Sequence, residues 1–289
     1  MKKPILKAAV MFLILLSVSI IFAFAVGAAA EDMNVIATSV VADGEPVLTD
    51  GAGALLCDGV TYVPLRAFCN LMGDCEIEWN AETRSASVRS VGLEISARDG
   101  DRYMLVNDRA FYCPRGIFLR FGVLYVPVRV IAAAYGASVE WKSTDDARLG
   151  YVNMTTGGGR AEKASDVYDD DVLYWLSRII SAESRGESLE GQIAVGNVVL
   201  NRMRSSEFPD TVYDVIFDKK FGVQFTPVSN GTVYDDPAPM SVIAAKICLE
   251  GYSLSDSIIY FLNEAASTNF WVPNNRDYVM TIGCHDFYS

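Results

Sequence analysis

Glu183 is the residue that most clearly offers chemistry. The segment from Asp169 to Gly186 has the punctuation of a helix. Acidic residues at 169–171 suit the positive end of its dipole, and Gly186 stands where a left-handed residue ends a helix. Val172, Leu176 and Ile179 are spaced four and three apart and make one apolar stripe; the next step of four lands on Glu183. A carboxyl group thus holds the last place on a core-facing stripe. Burial disfavours the carboxylate and raises its pKa, and the negative end of the dipole acts the same way. A carboxyl group that stays protonated near neutral pH is suited to give a proton to a glycosidic oxygen. The alternative is an ordinary glutamate that turns into water or pairs with Arg178 or Arg185. Glu187 and Glu190, beyond the glycine, read either as a second acid or as surface charges.

Composition excludes other chemistries. The 289 residues carry a formal charge of −12 and a single histidine, His285. One imidazole cannot build a zinc site of the two- or three-histidine kind, or a copper site that needs several, so no metal and no cofactor is expected. The acidic balance argues against nucleic acid, whose phosphates need clustered Lys and Arg. Six cysteines, with no C-x-x-C spacing, fit either disulfides or buried thiols. A cysteine peptidase using Cys248 or Cys284 with His285 is a further reading. It is disfavoured because neighbours on a strand point to opposite faces, while nucleophile and base must be within hydrogen-bond reach.

The second half also carries a family pattern. Ser181-Ala-Glu-Ser-Arg-Gly-Glu runs into Gly191-Gln-Ile-Ala-Val and Asn201-Arg202. Phe208 to Ile216, Gln224-Phe225-Thr-Pro-Val, Tyr260-Phe-Leu-Asn263 and Ile282-Gly-Cys-His-Asp-Phe287 follow in order. This succession resembles the spore-cortex-lytic cell wall hydrolases of the SleB/CwlJ type. The resemblance implies a peptidoglycan-cleaving enzyme of the lysozyme and lytic-transglycosylase kind, with Glu183 as the acid that protonates the bond between muramic acid and glucosamine. It also implies substrate contacts at Gln192, Gln224, Phe225, Tyr260, Asn263 and His285. A lone histidine in a strand, as His285 is, more often reads as a structural, hydrogen-bonded residue. The chain departs from the pattern at Val223, Glu264 and Cys284, and the last two motivate the alternative of a non-catalytic peptidoglycan-binding surface protein on a degenerate enzyme fold.

The acid and its contacts need a scaffold, and the chain divides into halves to supply it. Residues 153–166 are nearly free of apolar side chains and read as a flexible linker between residues 34–152 and 167–289. The first half repeats itself: Gly59-Val-Thr-Tyr-Val-Pro-Leu-Arg66 recurs as Gly122-Val-Leu-Tyr-Val-Pro-Val-Arg129. Each copy reads as a strand ended by proline, a two-turn helix closed by Gly73 or Gly136, and a strand bearing Trp79 or Trp141. The pattern resembles the copper-amine-oxidase N-terminal-like domain of secreted Gram-positive proteins. It implies a binding or spacer module, and with no histidine in this half it implies no copper. Arg66 and Arg129 read as ligand contacts or as ties to carboxylates, and the tryptophans as core or as sugar platforms.

Residues 1–30 read as a signal peptide, with Lys2, Lys3 and Lys7, an apolar run to Val26, and Gly27-Ala-Ala-Ala30. Left uncleaved, that run is the chain's one route to a membrane. The expected protein is secreted, cell wall- or spore-associated, and of α+β class. A small repeated strand–helix–strand module precedes a lysozyme/lytic-transglycosylase-like catalytic domain with helices leading and strands following. Its expected partner is cortex or vegetative peptidoglycan; the oligomeric state is not legible.

Overall fold

The computed structural model describes residues 35–47, 53–143, 150–220, 222–265, 267 and 270–289; the expected leader lies outside them. The first half opens with β1 (Val35–Ala42), β2 (Glu45–Val47), β3 (Ala54–Cys57), β4 (Val60–Pro64) and α1 (Leu65–Leu71). An antiparallel meander follows: β5 (Glu76–Asn80), β6 (Ser85–Ser90), β7 (Leu93–Arg98), β8 (Tyr103–Val106) and β9 (Arg109–Tyr112). Next come β10 (Phe118–Arg120), β11 (Val123–Pro127), α2 (Val128–Ala134), β12 (Ser138–Ser143) and β13 (Gly150–Thr155). The strands outside the meander share one sheet, ordered β10-β11-β4-β3-β1-β13-β12 with β2 paired to β1.

The sequence repeat becomes a local twofold. β4 and β11 pair antiparallel with Val63 opposite Val126, and these are the equivalent valines of the two copies. Pro64 and Pro127 end their strands and stand as extended N-caps of α1 and α2, because proline has no N–H for the ladder and a φ suited to a helix start. Gly73 and Gly136 follow the helices with positive φ, as expected. Arg66 and Arg129 are exposed, and no ion pair ties either to a carboxylate among the described residues. Trp79 is exposed, while Trp141 packs on the edge of the core.

The expected linker differs from the structure. Residues 153–155 complete β13, with Met154 fully buried, because alternate residues of this polar-looking run face the core. The stretch after it is tied down: Ala161 N donates to Ala134 O, Asn107 Nδ2 donates to Ala161 O at 2.6 Å, and the Arg160 guanidinium lies over the Tyr135 ring. Low apolar content predicted flexibility because it does not count backbone hydrogen bonds.

The second half places helices before strands, as expected. They are α3 (Ala164–Val167), α4 (Asp170–Ser184), α5 (Leu189–Arg204), α6 (Val212–Phe217), α7 (Thr226–Asn230), a 3-10 turn (Thr232–Tyr234) and α8 (Pro239–Leu249). Then come β14 (Tyr260–Leu262), α9 (Trp271–Asn275), β15 (Tyr278–Ile282) and β16 (His285–Tyr288), in a sheet ordered β14-β16-β15. β15 and β16 pair antiparallel as a hairpin, turning at Gly283 and Cys284. Leu176, Ile179 and Ile180 of α4 meet Val195, Val198 and Val199 of α5 and Ala244, Ala245 and Ile247 of α8 in one core.

That core extends across the boundary between the halves. Ala110 and Tyr112 of β9 belong to it, and Tyr103 and Leu105 of β8 pack against it. Polar pairs frame the seam. Arg109 donates twice to Glu250, Tyr112 Oη donates to Glu190 at 2.6 Å, and Lys246 Nζ reaches both Asp108 O and Asp108 Oδ1 at 2.8 Å. Glu190, expected as a surface charge or second acid, is taken up here by Tyr112 and Arg102.

Candidate active site

The α4 helix begins on Asp169, whose side chain accepts from Val172 N, and its first turn holds Asp170 and Asp171. Its stripe is fully buried at Leu176, Ile179 and Ile180, so α4 is fixed in rotation and Glu183 is half-buried at its end. The two arginines that competed for Glu183 are engaged elsewhere: Arg178 pairs with Asp236, and Arg185 bends back to Ser181 O and Oγ. Burial pushes the Glu183 carboxyl up to about 7, and the charge of Arg202 pulls it partly back.

Arg202 lies near the end of α5 and is 4% exposed. Its Nε donates to Ile259 O at 2.6 Å, and its guanidinium sits 5.0–5.3 Å from the ring centres of Phe208, Phe225 and Tyr260. Burial lowers it to about 10. Arg202 also lines a cavity of about 740 Å³ together with Phe208, Gln224, Tyr260, Trp271 and Arg276. It is thus the residue common to the acid and the cavity.

The other expected residues separate. Tyr260 is on the cavity wall and accepts a hydrogen bond from Arg276 at 2.8 Å. Gln224 is there too, its Nε2 bonded to Gly222 O. Phe225 is 2% exposed, a core ring under Arg202. Gln192 is 2% exposed and committed at both ends of its amide: Nε2 donates to Glu187 O and Oε1 accepts from Ser241 Oγ at 2.7 Å. It clasps α5 to α8. Asn263 follows β14 on its exit side. His285 stands edge-on to Phe261 at 5.2 Å, and burial lowers its pKa. Glu187 accepts from Cys284 N across the hairpin turn, and its carboxylate lies against Gly283 so closely that a Cβ there would overlap it.

Arg202, Phe208, Trp271 and Arg276 escaped the list of contacts read from the sequence. For Arg202 a signal existed: Val195, Val198 and Val199 form the α5 stripe, and its next step is Arg202. Among the described residues no three His, Cys, Asp or Glu side chains converge as metal ligands. Cys248 is buried, its Sγ donates to Ile193 O, and burial raises its thiol to about 12, the reverse of an activated nucleophile.

The site is one half-buried carboxyl group with a raised pKa in an α+β domain, next to an aromatic and cationic cavity through Arg202. Residues 186–288 match the model of the Cell Wall Hydrolase family, a match that begins three residues after Glu183. Residues 41–147 match the Copper amine oxidase N-terminal domain. Among relatives, a spore cortex-lytic enzyme of Oceanobacillus iheyensis is 33% identical over 132 residues, covering 46% of this chain and 46% of the relative. Another, of Halalkalibacterium halodurans, is 35% identical over 129 residues, covering 44% and 38%. The chain thus spans less than half the length of either. The solved catalytic domain of the germination-specific lytic transglycosylase SleB from Bacillus anthracis is 32% identical, with 42% of this chain and 97% of that domain covered at a TM-score of 0.39.

Proposed function

We propose that the chain is an extracytoplasmic enzyme that cleaves the muramic acid–glucosamine bond of peptidoglycan, in spore cortex lysis or wall remodelling. The observation that carries this reading is Glu183: a half-buried carboxyl group on a packed helix, in no salt bridge among the described residues, pushed up to about 7. Glu183 gives its proton to the leaving glycosidic oxygen as the C1–O bond breaks. In the transglycosylase route the substrate's own C6 oxygen then bonds to C1, and the C6 hydroxyl proton returns to Glu183. That route needs no second carboxylate, unlike the usual paired scheme. With water in place of the C6 hydroxyl the product is a reducing muramic end. The first half is a binding or spacer module, and residues 1–30 direct export.

Loss of turbidity of purified cortex and of vegetative sacculi, with wild type and Glu183→Gln, tests the reading. Clearing by wild type and none by the variant is expected; equal clearing removes Glu183 from the mechanism. Mass analysis assigns the route, since 1,6-anhydro ends mark transglycosylation. Pelleting with sacculi without release of fragments would favour the non-catalytic binder suggested by Glu264 and Cys284.

A further inference from the structure

Two arginines of the cavity wall each keep a buried N–H donor that meets no acceptor among the described residues. Arg202 is 4% exposed, and its Nη1 is buried with no acceptor among the described residues. Arg276 gives Nη2 to Tyr260 Oη, but its Nε is likewise buried without an acceptor. Both guanidinium carbons lie over the same Tyr260 ring, at 5.3 and 4.6 Å from its centre, so one aromatic ring fixes the spacing of two positive charges.

A buried donor without an acceptor carries its full desolvation cost, and a buried ion carries more. The wall's own carboxylates offset it only in part. Asp218 accepts from Lys220 N and acts on Arg202 by its charge without a hydrogen bond to it, and Glu207, 62% exposed, pairs loosely with Arg276 Nη2 at 3.9 Å. Arg202 has no ion-pair partner among the described residues, while Ile259 O and three aromatic rings hold it in place. A single carboxylate, with two acceptor oxygens and a full negative charge, is the group that satisfies such a pair of guanidinium donors. The cavity, at about 740 Å³, has room for a sugar-sized unit that carries one.

Resting on the reading of the chain as a peptidoglycan-cleaving enzyme, we propose that this cavity is a subsite for a carboxylate of the muramoyl peptide stem. Arg202 and Arg276 are then specificity determinants for strands that bear the free acid. The test uses the full chain and soluble glycan strands in two forms, with stem carboxylates free or converted to neutral methylamides. Wild type is expected to cleave the free-acid strands with a kcat/KM about tenfold higher, the difference lying in KM. In Arg276→Gln that ratio falls toward one. Arg276 carries the test because it stands on the more open side of the cavity, whereas Arg202→Gln alters a buried position; circular dichroism confirms that the variant is folded. Equal cleavage of both strands by wild type, or an unchanged ratio in folded Arg276→Gln, overturns the subsite and leaves the cleavage reading standing. Cleavage of neither strand by wild type overturns the cleavage reading, and the subsite with it.

Discussion

Arg109 and Glu250 form a two-pronged ion pair across the seam between the halves, Nε to Oε1 at 2.7 Å and Nη2 to Oε2 at 2.6 Å, with Tyr168 donating to the same carboxylate. The pair is largely buried, the side chains being 17% and 9% exposed. Removing one partner of a buried pair leaves an uncompensated charge, at about 3–5 kcal/mol. Arg109→Ala is therefore expected to lower unfolding free energy by about 3 kcal/mol, since Tyr168 still serves Glu250. Arg109→Met combined with Glu250→Met is expected to cost less than the single change. Denaturant melts of the three variants check this; equal stability of Arg109→Ala and wild type would show that the seam opens in solution.

The raised Glu183 pKa sets two pH effects. Catalysis by the protonated acid is expected to be full below about pH 7 and to fall as pH rises through it. Stability follows the same direction. The unfolded chain releases this proton near 4.5 while the folded chain keeps it to about 7, so the folded state binds more protons between them and loses stability as pH rises through that window. The loss is on the order of 3 kcal/mol. Glu183→Gln is accordingly expected to be inactive, to be more stable than wild type above pH 7, and to show no gain below pH 4.5. Thermal midpoints across that range, beside a pH–rate profile, measure both.

Gly196 lies in the middle of α5, where alanine would ordinarily favour the helix by about 1 kcal/mol. Here a Cβ would meet Cys248 Sγ at 2.7 Å and Ile180 Cδ1 at 2.9 Å, both buried side chains with little room to give. Overpacking of this kind costs about 1–3 kcal/mol, so the clash outweighs the propensity. Gly196→Ala is expected to lower stability by about 1 kcal/mol, read as a fall in the denaturant midpoint.

The thiols separate by accessibility. Cys284 is exposed in the turn before His285, while Cys248 is enclosed between α5 and α8. Iodoacetamide on the folded protein is expected to label Cys284, to spare Cys248 and to leave glycan cleavage intact. Loss of glycan cleavage in step with labelling would place Cys284 at the cleavage site.

Several of these features were legible in the sequence because they follow local rules. Periodicity on α4 placed Glu183 at the end of a buried stripe, and the proline and glycine positions marked where strands stop and helices close in both copies. The same periodicity applied to α5 reaches Arg202. The seam had a signal as well: Tyr103-Met-Leu-Val106 is apolar on both faces, which marks a strand covered on both sides. Met104 and Val106 do enter the first core while Tyr103 and Leu105 pack on the second. The linker reading failed because its polar side chains concealed backbone hydrogen bonds to Ala134 and Asn107.

The sequence by itself determined the elements, the repeat and the place of Glu183 at the end of a buried stripe, since each depends on spacing within one segment or on residue types with fixed backbone preferences. Only the tertiary structure decided the partners. It drew Gln192 into a clasp with Ser241, freed Glu183 from Arg178 and Arg185, and brought Arg202 and Arg276 onto one tyrosine ring. These outcomes depend on contacts between residues far apart in the chain, where burial decides which hydrogen bonds are made and which charges are left unmet.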